Sequence, residues 1–482
     1  MAGLRKRFAM ASAERYTLMA IRFAQIVVLS RILSPTEIGI IIVAKALIGI
    51  VDTFRTMGTQ SYVVQAREVT ADTIRSVYGV SLAVGAIVAL GIAALAVPAA
   101  HFYAQQELTV ILWVLALSFI VVPLNTPVMA LLERDMRYGT IFLVNGTGAA
   151  VSTLASVGFA LTGWGPLSVA LGQLAGNLAS LVVSAFYRPA MAWVLPSLKG
   201  TRKVLSFGSK VTYSSLLGAI GSDGIELIIG KMLGLPALAH LSRARSAPHY
   251  FGMAITGVMR RVSFAQMARL RREDKEIGPF YLRSSSYMLV LAWPFYGFLG
   301  VLAQPVILLM FGDQWNDTAP LMQIIVIAAS IGVAGSSLSG AVLMAYGQAG
   351  KMAKQQTVLL TMRMSLIAIG CLFDITTVAW LMVVASSIAA VLQQRIVYPY
   401  VKTVYRQRMV VLAKSAAVAA AALAAPVAVL LGPFDASPPW LPIALGLAGA
   451  VPGWFAGVLL ARHPIGDEFA VVFKNLRRVL RF

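Results

Sequence analysis

The chain alternates between long apolar runs and short polar breaks. The runs cover about 15–33, 38–57, 74–97, 108–132, 139–161, 164–187, 205–231, 236–264, 281–303, 319–345, 352–372, 376–398, 409–431 and 441–461. A bilayer core about 30 Å thick needs about 20 apolar residues of α-helix at ~1.5 Å each. The runs have this length and lack the strict alternation of barrel strands, so the pattern predicts helices. It gives an all-α integral membrane protein with fourteen transmembrane helices.

Charge orders these spans. With the N-terminus placed in the cytoplasm, the inner breaks hold Arg67 and Arg75; Arg134 and Arg137; Arg188, Lys199, Arg202 and Lys203; Arg269, Arg271, Arg272 and Lys275; Lys351 and Lys354; Lys402, Arg406 and Arg408. The outer breaks, Ser34-Pro35-Thr36-Glu37, 98–107, 162–163, 232–235, 304–318, 373–375 and 432–440, contain no Lys or Arg, and several carry acids, Glu37, Glu107, Asp313, Asp317, Asp374 and Asp435 among them. Basic residues gather in cytoplasmic loops, so both termini are expected inside the cell, in a bacterial cytoplasmic (inner) membrane. The basic start (Arg5, Lys6, Arg7) and the lack of a small-residue cleavage site point to a retained first helix.

Composition narrows the function classes. Hydrophobic residues make up 59% and charged residues 12%, with 40 Lys+Arg against 19 Asp+Glu and a net charge of +21. Such a balance excludes a soluble enzyme, and the placement of the basic residues between spans explains the charge without nucleic acid. The single cysteine, Cys371, lies in an apolar run and reads as a small core residue.

An internal repeat is legible. Arg31-Ile-Leu-Ser-Pro-Thr-Glu-Ile-Gly-Ile-Ile-Ile-Val-Ala-Lys45 parallels Lys231-Met-Leu-Gly-Leu-Pro-Ala-Leu-Ala-His-Leu-Ser-Arg-Ala-Arg245. In each, a basic residue closes one span, a Pro-containing turn follows, and another basic residue stands inside the next span. Span 1 thus matches span 7, and span 2 matches span 8. The expected plan is an N-terminal six-helix lobe (1–187), a cytoplasmic linker (188–204), a second six-helix lobe (205–400), two additional transmembrane helices (401–462) and a cytoplasmic amphipathic basic tail (463–482). Parallel repeats of this kind mark transporters that rock one half against the other.

Ionisable groups inside spans cost about 2.5–3.5 kcal/mol each on insertion scales, so each needs a reason. They are Arg22 in span 1, Lys45 in span 2, Lys210, Asp223 and Glu226 in span 7, Arg243 and Arg245 in span 8, and Arg363 in span 11. Lys45 and Arg245 lie on the order of 10–14 Å inside the outer boundary. One reading is that Arg22, Lys45, Arg243, Arg245 and Arg363 line a central cavity and bind phosphate, since guanidinium suits phosphate oxygens in geometry and charge. The other is internal pairing with Asp223 and Glu226. These acids stand three apart on one helical face, and either couple transport to an ion or partner Arg243 or Arg245. Pro123 and Pro127 flank Asn125 and predict a kink in span 4.

No phosphate-binding loop of the G-x-x-x-x-G-K-[ST] form occurs, the four histidines (His101, His240, His249, His463) form no metal-ligand pattern, and no cofactor is implied. Outer loops of at most about fifteen residues leave little room for a catalytic domain.

Arg31-Ile-Leu-Ser-Pro-Thr-Glu-Ile-Gly39 resembles the R-x-L-s-P-x-x-x-G that closes span 1 in polysaccharide flippases of the multidrug/oligosaccharidyl-lipid/polysaccharide exporter superfamily. Met57-Gly58, Gly230-Lys231-Met-Leu-Gly234, Phe311-Gly312-Asp313-Gln314-Trp315 and Ala345-Tyr346-Gly347-Gln348 are similar to that family's later turns, in order, over about residues 10–400. His240 and Leu241 depart from its usual Gly-x-Tyr. The resemblance implies a non-enzymatic flippase that moves a polyprenyl-pyrophosphate-linked oligosaccharide outward by alternating access, among membrane lipids and alongside a polysaccharide polymerase and chain-length machinery. In related lipid II flippases, basic residues on spans 1, 2 and 8 face a central cavity; Arg22, Lys45, Arg243 and Arg245 occupy those spans here. The alternatives are a multidrug exporter of the same superfamily and a membrane polymerase or ligase of lipid-linked glycans.

Overall fold

The computed structural model describes residues 2–56, 59–66, 68–187, 192, 194–198, 201–336, 338–403, 405–433 and 438–469. Met57-Gly58, Arg67, Arg188, Lys199, Asp435 and the tail from residue 470 lie outside the described residues, as do the side chains of Arg202, Lys203 and Lys210. Every described element is helical; no strand occurs among the described residues. The chain divides into two compact units, Met1–Ala239 and His240–Phe482.

In the first unit, α1 (Ala2–Ile32) and α2 (Pro35–Thr56) are separated by only two residues. The sequence pattern places Ser34-Pro35-Thr36-Glu37 in a loop; in the structure these residues start α2. The Glu37 amide donates to Ser34 Oγ (3.3 Å), while Glu37 Oε2 accepts from the Ser34 amide (2.7 Å) and hydroxyl (2.8 Å). This reciprocal capping satisfies two orphan donors at once, and Pro35 supplies the φ needed at the first helical position. α3 (Thr59–Gln65) is a short helix in a break expected to lie inside. It is pinned where Arg134 donates to the carbonyls of Val63 (2.8 Å) and Ala66 (2.6 Å), above a core of Val63, Ile74, Val77, Leu131 and Leu132.

α4 (Ala71–Tyr103) and α5 (Glu107–Arg134) follow, then α6 (Tyr138–Leu161), α7 (Leu167–Phe186) and α8 (Thr201–Met232). α1 runs parallel to α6, joined by Asn145 to Glu14 (3.0 Å) and Gln25 to Ser156 (3.1 Å). Gly148, Gly172 and Gly176 let α6 and α7 approach closely, with Ser152, Ser156 and Ser180 opposite them. Without a hydrophobic drive between helices in lipid, small residues of this kind set the packing.

In the second unit lies most of α9 (Leu235–Phe251), which runs through a π-turn (Gly252–Thr256) into α10 (Gly257–Arg272). The apolar run 236–264 is therefore two helices. α11 (Gly278–Val301) bends by 80° into α12 (Ala303–Phe311), a helix inside an expected outer loop. α13 (Thr318–Ser336), α14 (Ser339–Ala345), α15 (Ala349–Gly370), α16 (Ile375–Val401), α17 (Tyr405–Leu430) and α18 (Trp440–Leu460) complete the unit. Trp454 on α18 donates to the Val290 carbonyl of α11 (2.8 Å), which ties the last hairpin to this unit.

Among the described residues, eight helices are long and apolar enough to cross a membrane, or nine counting the bent α11–α12 pair. The protein is thus a multi-pass membrane protein. The other predicted spans coincide with α1, α2, α8, α9 with α10, and α15. These helices carry Arg22, Lys45, Asp223, Glu226, Arg243, Arg245 and Arg363, and their polarity separates them from the rest.

Candidate functional site

The first unit places Lys45, Asp223 and Glu226 on two antiparallel helices, α2 and α8. A side-chain atom at Gly39 of α2 would collide with Leu235, one at Gly230 of α8 would stand 3.1 Å from Val43, and one at Gly49 would collide with the Asp223 carboxylate. α2 and α8 therefore touch along their length, and glycine at 49 leaves the space that the carboxylate fills. Ser222 donates to Asp223 Oδ1 (3.2 Å). Lys45 is exposed, one turn from Gly49 and on its face. The same register sets Glu226 within one turn of Lys45. Asp223 and Glu226 are both half-buried, and acid and base here share one helix pair. Arg22 is exposed on α1, one turn before Gln25. Nearer the end of α2, Arg55 bonds Asp52 at 2.5 Å, as expected for a charge at a span end.

The second unit divides its candidates. Arg243 and Arg245 are two residues apart on α9 and so point to nearly opposite sides. Arg243 is only 8% exposed, and its guanidinium lies 5.6 Å from the Trp315 ring centroid and 5.9 Å from that of Phe311. Arg243 is thus packed into an aromatic corner, on the side of α9 away from Arg245. Gly312 makes that corner, since its φ of +94° is a conformation that other residues rarely adopt. His240, at the departure from the family pattern, bonds Thr318 Oγ1 (2.8 Å) and meets Trp315 edge-on, and Leu241 is buried.

On the other side of α9, Arg245 is near enough to Arg363 on α15 for their charges to interact, and the same holds for Arg245 and His249. Arg245 and Arg363 are half-buried and His249 is exposed. The sequence reading missed His249, although its signal was present: it stands one helical turn after Arg245. Two guanidinium charges in reach of one another favour an anion beside them, and their geometry suits phosphate oxygens.

A family model described as polysaccharide biosynthesis protein matches residues 28–320, and the chain belongs to that family. It is 21% identical over 335 residues to the lipopolysaccharide biosynthesis protein WzxC of Escherichia coli (strain K12), covering 68% of this chain and 67% of that one. It is 22% identical over 340 residues to the teichuronic acid biosynthesis protein TuaB of Bacillus subtilis (strain 168), covering 68% and 69%. Among solved structures, the lipid II flippase MurJ in an inward closed conformation aligns with a TM-score of 0.72 at 13% identity, over 95% of this chain and all of that one. An inward-facing multidrug resistance MATE transporter aligns with a TM-score of 0.66 at 14% identity, over 80% and 96%. These likenesses identify the fold as that of flippases and exporters.

Proposed function

We propose that the protein flips a polyprenyl-pyrophosphate-linked oligosaccharide across the bacterial cytoplasmic membrane for cell-surface polysaccharide synthesis. The observation that supports this reading is the approach of Arg245 to Arg363, with His249 one turn from Arg245, on the polar helices α9 and α15. Diphosphate oxygens would bridge these groups, and Arg22 and Lys45 would add positive charge from the first unit. The lipid tail stays in the bilayer while the two lobes exchange access. An inside-negative potential favours outward movement of an anion by about 2.3 kcal/mol per charge per 100 mV. Asp223 and Glu226 on α8 would couple that movement to a cation or proton. Fourteen spans, cytoplasmic termini, the six–six–two division and a basic tail on the inner leaflet belong to the same reading. So do partners that polymerise the exported units and set their length.

The fold is shared with a multidrug transporter, but a cationic cargo calls for acidic walls, and the candidate groups on α9 and α15 are basic. The test is a strain in which Lys45→Gln and Arg245→Gln replace the native residues. Lipid-linked repeat units should accumulate on the cytoplasmic side. Unimpaired polymer export by that strain would overturn the assignment.

A further inference from the structure

Three inner breaks of the second unit meet in an arrangement that the transport reading does not use. The Arg271 guanidinium, at the end of α10, lies over the Tyr346 ring at 4.2 Å from its centroid. Tyr346, after α14, donates its hydroxyl to the Tyr400 carbonyl (2.9 Å), and the two rings are 4.8 Å apart. Lys351, in the first turn of α15, donates to the Tyr400 hydroxyl (2.7 Å) and lies 5.4 Å from that ring's centroid. Arg271 and Lys351 are exposed, while both tyrosines are half-buried. The result is a row of guanidinium, ring and ring, with the Lys351 ammonium at the hydroxyl of the second ring, tied by hydrogen bonds and with both cations exposed.

The surroundings are strongly positive. Lys354, Lys402, Arg406 and Arg408 lie in the same breaks, and no Asp or Glu occurs in residues 318–373 or 375–434. The acid beside Arg271 is already engaged: Glu273 accepts from Lys275 (2.8 Å) and Arg269 (2.8 Å), which hold its carboxyl down to about 2. Among the described residues, no carboxylate lies within ion-pair distance of Arg271 or Lys351. Loop charge alone would orient the protein, but orientation does not require an arginine over one half-buried tyrosine ring and a lysine bonded to the hydroxyl of the next. A guanidinium over a ring still has N–H donors to offer, and its fork takes two phosphate oxygens. Basic pockets between helices on the cytoplasmic side of membrane proteins bind anionic head groups.

We propose that Arg271, Tyr346, Tyr400 and Lys351 form a binding site for the phosphate headgroup of an anionic glycerophospholipid, a diphosphatidyl lipid fitting the two separated cations. Assignment to the inner leaflet rests on the orientation proposed above; the site itself does not. The test uses the purified full chain in nanodiscs of phosphatidylcholine with or without cardiolipin, read by retained lipid in native mass spectrometry and by thermal midpoint. The wild type should retain cardiolipin and gain thermal stability from it. R271Q with K351Q should lose most of the retained lipid, at least fivefold, while R271K with K351R recovers part of it. R75Q with R137Q, an equal loss of charge from exposed positions of the first unit, should leave retention unchanged. Equal losses in both double variants would reduce the effect to general charge and overturn the proposal. Unchanged retention in R271Q with K351Q would also overturn it, as would preference of the site for a soluble isoprenyl diphosphate over the phospholipid. None of these readouts depends on flipping.

Discussion

α2 and α9 begin at matching points of the repeat, Pro35 and Leu235, just after α1 ends at Ile32 and α8 at Met232. Each carries a basic residue at the same depth, Lys45 and Arg245, yet the company differs. Lys45 stands on the α2–α8 pair, where Asp223 fills the notch at Gly49 and Glu226 is one turn away. Arg245 has the Arg363 charge in electrostatic reach, and His249 one turn further along α9. The basic residue of α2 thus has acids on its own helix pair, whereas that of α9 has another guanidinium in electrostatic reach. Under the proposed function, the first setting suits coupling and the second suits cargo.

The largest effect that can break this contrast is on transport. Arg245→Gln with Arg363→Gln removes two charge-assisted contacts, each worth about 1.5–3 kcal/mol, so flipping should fall by roughly a hundredfold or more. Asp223→Asn with Glu226→Gln should instead leave diphosphate affinity within a few-fold while lowering the transport rate; equal loss of affinity in both pairs would erase the distinction. Next comes Arg243→Gln, which empties an aromatic corner and should cost about 2 kcal/mol of stability with little change in diphosphate binding. Gly49→Leu forces a side chain onto the Asp223 carboxylate; destabilisation of about 1–3 kcal/mol is expected in thermal unfolding, and Gly91→Leu, on an open face of α4, serves as the control.

The smallest effect concerns Asp374, which caps α16 by accepting from the Thr377 amide at 2.7 Å. Hydrogen bonds from the Thr377 side chain and backbone hold its carboxyl below the usual range. With the folded value depressed, its contribution is complete above the unfolded value of about 3.9 and is lost as pH falls through the folded one. Asp374→Ala should cost about 1 kcal/mol at neutral pH and flatten that acid limb of the unfolding curve.

Most of the helical layout could be read from sequence because lipid enforces it: a span must satisfy its own backbone, so length and hydropathy nearly determine the element. The departures arise where local chemistry overrides hydropathy. Ser34-Pro35-Thr36-Glu37 is polar enough to look like a loop, yet it is an N-terminal capping box. Ala303–Phe311 fell at the end of one run and in an expected outer loop, and hydropathy carries no information on an 80° bend. At the site, the placement of Arg245 and Arg363 inside apolar runs was legible, but direction was not. Arg243 and Arg245 look equivalent in a list of membrane charges, and only the aromatic corner of Phe311 and Trp315 separates them. His249 was passed over because it was weighed as a metal ligand rather than as a neighbour of Arg245.

The π-turn at Gly252–Thr256 has a consequence for how this helix should be read and altered. One surplus residue in the winding shifts everything beyond it by roughly a quarter to a third of a revolution. A helical wheel drawn through α9 and α10 as one rod would thus put Arg260 and Arg261 on the wrong azimuth relative to Arg245. Deleting one residue between Gly252 and Thr256 would restore uniform winding and swing α10, with its arginines, around its own axis while α9 stays still.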